Sequence, residues 1–98
     1  MWTNQYTTVT VKQLVPYLSE EVELQVNKIR PHVELEQERV EKADLNYPII
    51  IVQQNNQPLY VLDGNHRLQK AINLKQKTIK ARMLELNSIP SNWAVLFK

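Results

Sequence analysis

The chain has no cysteine and only one glycine and one phenylalanine in 98 residues. Without cysteine it can build no disulfide framework, no thiolate metal site and no cysteine nucleophile. A single glycine leaves few positions where the backbone turns freely to positive φ, so the turn that holds Gly64 stands out. Long apolar runs are also missing. The stretch Pro48 to Val52 is far shorter than the roughly 20 residues that cross a bilayer. No basic segment leads into an apolar run and a small-residue cleavage site at the amino terminus, so a cytoplasmic location without membrane association is the expectation. His32 has no partners spaced for a metal triad, and no dedicated metal site is expected.

What is present is the composition of a folding chain, 43% hydrophobic and 22% charged, of a length that supports one core and hence one domain over residues 1–98. A net charge of +2 does not by itself imply nucleic acid, but the charges are segregated. Glu20, Glu21, Glu23, Glu34, Glu36, Glu38, Glu41 and Asp44 fall in the first half. Arg67, Lys70, Lys75, Lys77, Lys80 and Arg82 follow with no acid between Asp63 and Glu85.

Periodicity predicts the elements. The β-branched stretch Thr7 to Val11 reads as a short strand ended by Leu14-Val15-Pro16. Ser19 before Glu20 and Glu21 reads as the N-cap of a helix reaching about Asn27, before Pro31. Strong helix formers from Glu34 to Ala43, with only Leu35 and Val40 as apolar points, predict a surface helix. Ile49 to Val52 is a continuous β-branched run and predicts a strand buried on both faces. Asn55-Asn56 can supply a tight turn, with Leu59 to Leu62 returning as the hairpin partner. After Asp63 and Gly64 a helix follows with Leu68, Ala71 and Ile72 on one face. At about 100° per residue, His66, Lys70 and Asn73 take the opposite face and Arg67 the flank. Thr78 to Leu84 alternates as a strand with one wet face. Trp93, Val95, Leu96 and Phe97 predict a terminal segment that docks on the body, and together with Trp2 they could instead join two copies as a homodimer. The fold class is α/β (α+β): a small mixed sheet with a buried central strand and a strand-turn-helix.

That strand-turn-helix carries the chemistry. A helix start offers unpaired N–H groups and a partial positive charge to an anion. Gly64 permits close backbone approach, Arg67 can donate in a bidentate fork, and His66 and Lys70 add a cationic face. Gly64, Asn65, His66, Arg67 and Lys70 are therefore the candidate phosphate-binding residues. The competing interpretation is that Asp63 caps the helix, His66 packs in the core and the lysines form a solvated face. Phosphoryl transfer also needs a carboxylate, for which Asp63 is the candidate; Glu34, Glu36 and Glu38 are alternates that otherwise form a solvated acidic face.

The series Tyr47-Pro48-Ile49-Ile50-Ile51, Tyr60-Val61-Leu62-Asp63-Gly64-Asn65-His66-Arg67 and Lys70-Ala71 resembles the ParB/sulfiredoxin superfamily over about Leu45 to Leu84. The resemblance implies a small α/β domain whose Gly-x-His/Arg-Arg turn binds nucleotide phosphates. ATP, ADP or CTP would be the ligand, with Mg²⁺ carried by the phosphates. Sulfiredoxins place their reactive cysteine where this chain has Asn65, so that activity is not implied. Nor do 98 residues leave room for the further helix-turn-helix domain and dimerisation tail of the segregation CTPases. The free-serine kinases match Asp63-Gly64-x-His66-Arg67 more closely, and Arg30-Pro31-His32 followed by Glu34 and Glu36 is similar to their acidic segment, although Val33 follows His32. Three functions follow as expectations. The first is nucleotide-phosphate binding with phosphotransferase or NTPase activity. The second is a non-catalytic nucleotide sponge or regulatory module, as in accessory proteins of phages and mobile elements. The third is a DNA-binding or nuclease module through Lys75, Lys77, Lys80 and Arg82.

Overall fold

The computed structural model describes residues 1–98. Its centre is the strand Ile49–Gln54 (β4), with Ile49, Ile51 and Val52 fully buried and Ile50 5% exposed. Side chains alternate across a strand, so such a run is stable only if both sheet faces are covered. Ile49 and Ile51 pack with Val61, Leu68, Ala71, Ile79 and Ala81 on one face. Ile50 and Val52 pack with Val9, Leu14, Leu84 and Phe97 on the other. Each fully buried aliphatic side chain contributes roughly 1.5–3 kcal/mol, so this strand anchors both layers.

β4 turns back through Asn55 and Asn56, at φ 52° and 64°, into Gln57–Asp63 (β5). Two successive positive φ values match the right-handed twist of a tight hairpin, and Asn tolerates them. The helix Asn65–Asn73 (α3) follows, burying Leu68 and Ala71. It ends in a paired-carbonyl motif, Gln76 N–H to Ala71 O and Lys75 N–H to Ile72 O, with Lys75 at φ 58°. The chain then enters Thr78–Glu85 (β6), parallel to β4. The mixed sheet has the order β3-β6-β4-β5, β3 being Val22–Gln25, as the α+β expectation requires.

The edge strand β3, Val22–Gln25, corrects the helix predicted from Glu20 to Asn27. It pairs antiparallel with β6, Val22 against Ala81 through Gln25 against Thr78, and a single 3₁₀ turn follows at Val26–Lys28. Glutamate-rich propensity loses here to the exposed ladder groups of β6, which need a partner. Ser19 is no N-cap: its backbone N–H donates to Met83 O, and its hydroxyl accepts from Met83 N–H at 2.8 Å.

The predicted strand Thr7 to Val11 shrinks to Thr8–Val9 (β2), paired with Trp2–Thr3 (β1). Thr10 instead caps the one-turn helix Val11–Leu14 (α1) in a reciprocal box with Gln13. The surface helix (α2) covers only Gln37–Lys42, leaving Glu34 and Glu36 in irregular chain before it. Ser91–Ala94 (α4) and the following residues dock on the face opposite α3, where Phe97 lies edge-on to Trp2 at 5.4 Å.

The Tyr60 hydroxyl donates to Phe97 O at 2.6 Å and ties this tail to β5. Burial raises the Tyr60 pKa above its ordinary value of 10.0. The folded state therefore holds the phenol proton where the unfolded chain releases it. That stabilisation is complete below the unfolded pKa and is lost as pH rises through the folded one. Tyr60→Phe is expected to cost about 1 kcal/mol at neutral pH, by denaturant titration, and to reduce the loss of stability above about pH 10. Equal stability of parent and variant at both pH values would contradict the tether.

Candidate functional site

α3 starts where β5 ends, and the first residue of the turn is the lone glycine. Gly64 occupies the N-cap at φ 97°, ψ 21°, with no side chain capping the helix. A Cβ there would lie 2.6 Å from Ile49 Cγ2 and 3.0 Å from an Arg67 guanidinium nitrogen. The glycine thus serves the fold directly, letting the turn press against β4. Leu68 N–H bonds to Gly64 O, whereas no protein acceptor meets the amide N–H groups of Asn65, His66 and Arg67. Those three donors carry the positive end of the helix dipole.

Two of these residues, His66 and Arg67, line a cleft of about 240 Å³ together with Arg39, Ala43, Asp44, Tyr47, Asp63 and Gly64, and Asn65 lies buried between Gly64 and His66. Three segments converge on it: α2 with the turn after it, the approach to β4, and the β5–α3 junction. Asp63 lines the cleft, and its carboxylate makes neither a hydrogen bond nor an ion pair. It does not cap α3, because positive φ at Gly64 moves the cap one residue on. His66 lines the cleft too, with Nε2 at 3.5 Å from Glu36 N–H, the outer limit of a hydrogen bond. Arg67 is half-buried and donates from Nη1 to Pro48 O at 3.0 Å, which fixes its fork beside the cleft and leaves its other donors free of protein partners.

Two of the candidate phosphate ligands are engaged elsewhere through their side chains. Asn65 is 7% exposed; its Oδ1 accepts from His32 N–H at 2.6 Å and its Nδ2 donates to Val61 O at 3.3 Å. Only its backbone N–H remains for a ligand. Lys70 is not on the cleft wall. Its Nζ donates to Glu41 O at 2.9 Å and Ala43 O at 2.8 Å, binding the carbonyl end of α2 to α3. By holding α2 there it positions Arg39.

Arg39 and Tyr47 were not legible as site residues, and the direction of Asp44 could not be read from the sequence. Arg39 is embedded in an acidic segment and approaches Glu36 at 4.0 Å with both side chains mostly exposed, a pair too solvated to hold it back. Tyr47, 62% exposed, also lines the cleft. Glu34 is exposed and lies outside the cleft lining. No group of three or more His, Asp or Glu gathers that could hold a metal by itself.

The basic residues beyond α3 do not form one uninterrupted stripe. Lys75 and Lys77 are exposed at the far end of α3, roughly 13 Å along its axis from the cleft. Lys80 is exposed opposite Glu23, and Arg82 is half-buried with Nε donating to Ser19 O at 2.9 Å. No helix is long and apolar enough to cross a membrane. Compared with family models, curated proteins and solved structures, the chain matches none.

Proposed function

We propose that the cleft binds the phosphate of a nucleotide. The observation that carries this reading is the conjunction of three unpartnered N–H groups at the start of α3 with Arg67 and Arg39 lining the adjoining cleft. The resemblance of the Asp63 to Arg67 turn to the ParB/sulfiredoxin superfamily supports it. A volume of about 240 Å³ suits phosphates and part of a sugar but falls short of a ligand pocket of roughly 300–1,000 Å³. The base would then lie over the rim, where Tyr47 presents a ring for stacking. ATP, ADP and CTP are the ligands to test first. Mg²⁺ would arrive with the phosphates, Asp44 and Asp63 being the carboxylates that line the cleft.

The free carboxylate of Asp63 favours a second reading, phosphoryl transfer or hydrolysis, in which it orients the nucleophile. Asp63→Asn separates this from a sponge or regulatory module. Because the carboxylate makes no bond that stabilises the fold, melting should be unchanged. In a binding-only site, removing a negative charge beside phosphate should leave nucleotide affinity equal or tighter. In a catalytic site, turnover should fall by about a hundredfold or more. Calorimetric titration of ATP, ADP, CTP and GTP with and without Mg²⁺, followed by product analysis, gives both readouts. Absence of binding to all four would remove the nucleotide reading.

A further inference from the structure

We infer that a second, independent site for a phosphate-bearing base lies along the outer edge of β5, centred on the ring of His32. The His32 imidazole stacks on Tyr60 with centroids 4.7 Å apart and planes at 27°. Tyr60 is itself held by its hydroxyl bond to Phe97 O, and the His32 backbone by its bond to Asn65, so the stack is fixed from both sides. His32 is nevertheless exposed, and it lines the grooves on both sides of the stack.

Two grooves meet at this stack. One, of about 360 Å³, is lined by His32, Tyr60, Lys28, Arg30 and Leu59 among nine residues, none of them acidic. Neither Lys28 nor Arg30 makes a salt bridge. The other, of about 420 Å³, shares His32 and Tyr60 and continues over Trp2, Leu62 and Phe97. An exposed aromatic stack between two unpaired cations and an apolar wall suits a base that stacks while its phosphate meets positive charge. A lipid would want a continuous apolar surface, and a peptide adding to the open edge of β5 would be held by backbone bonds and would have no need of the two cations or the exposed ring. The ligand chemistry is a base carrying phosphate, supplied either by single-stranded nucleic acid or by a free nucleotide.

The test is fluorescence anisotropy of the full chain with a labelled oligothymidylate of about 12 nucleotides, within the usual site sizes of such proteins. The parent should bind, more weakly at roughly 200 mM salt than at roughly 50 mM by about sevenfold, as release of counterions from two phosphate contacts requires. His32→Ala keeps the backbone bond to Asn65 and should weaken binding roughly five- to 150-fold, and His32→Phe should restore it. Lys28→Ser with Arg30→Ser should weaken binding and flatten the salt dependence. Arg67→Ala, altered in the other cleft, should bind the oligonucleotide like the parent. Displacement of the strand by thymidine monophosphate identifies free nucleotide as the source, and resistance identifies the strand. No binding by the parent, parental affinity in His32→Ala, or a loss in Arg67→Ala equal to that in His32→Ala would each overturn the site. Of these outcomes only a loss in Arg67→Ala bears on the α3 cleft, since it would place the strand there; nucleotide binding at that cleft is read separately by the calorimetric screen.

Discussion

Arg67→Ala is expected to weaken nucleotide binding at the α3 cleft by about ten- to more than a hundredfold, because a charge-assisted contact to phosphate contributes roughly 1.5–3 kcal/mol. Arg67 is half-buried and is not one of the residues that α3 buries in the core, Leu68 and Ala71, so truncation leaves that core in place. It does remove the donor to Pro48 O, which should lower stability by about 1 kcal/mol and the melting temperature by several degrees. Arg67→Lys should recover part of the affinity at most. An ammonium is a compact point charge that cannot bond Pro48 O and present a planar pair of donors to phosphate in the same geometry. Calorimetric titration beside a melting curve checks both effects. If the two variants bind as tightly as the parent, phosphate is not held at this turn.

Gly64→Ala is expected to produce the largest loss of stability. An L-residue in left-handed backbone costs about 1–2 kcal/mol, and φ at Gly64 is 97°. The new Cβ would also meet Ile49 Cγ2 at 2.6 Å and Ile49 Cβ at 2.9 Å. Ile49 is fully buried in the central strand and has no room to retreat, and overpacking of this kind costs about 1–3 kcal/mol. Together the two effects come to roughly 2–5 kcal/mol, a melting shift on the order of 10 °C or more for a domain of this size. They can be separated with Ile49→Leu, which moves the branch off Cβ. In the Gly64→Ala background it should recover the Cγ2 part of the contact and leave the Cβ part and the backbone part. A Gly64→Ala variant as stable as the parent by chemical denaturation would refute the described turn. The cleft would change as well, since the same Cβ would lie 3.0 Å from the Arg67 guanidinium and push it from its place beside Pro48.

The elements that local pattern determines were legible in the amino-acid sequence. The unbroken Ile49 to Val52 run required cover on both sheet faces, and it has it. Asn55-Asn56 supplied the two positive φ angles of the hairpin, and the spacing of Leu68 and Ala71 set the buried face of α3. A solitary glycine before His66 and Arg67 marked the turn, because hardly any other residue tolerates that backbone. Each of these rests on interactions within a few residues along the chain, or on which face of an element must avoid water.

Tertiary structure decided the rest, wherever a partner far along the chain outweighed local preference. Val22 to Gln25 became a strand because β6 had open hydrogen-bonding groups, although its acids and the serine before it favoured a helix. Sequence alone identified Asn65, Arg67 and Lys70 as polar residues on one short helix, but it could not say which of their groups the fold would use. Asn65 holds the His32 segment, Lys70 holds the end of α2, and Arg67 divides its donors between Pro48 and the cleft. Arg39 and Tyr47 reach the same cleft from segments 28 and 20 positions before Arg67, through the packing of α2 on α3 and the path into β4. Periodicity reports which face of an element is buried, whereas a binding cleft is set by where separate elements meet, and that depends on long-range packing and on the competition between protein and ligand for the same donors.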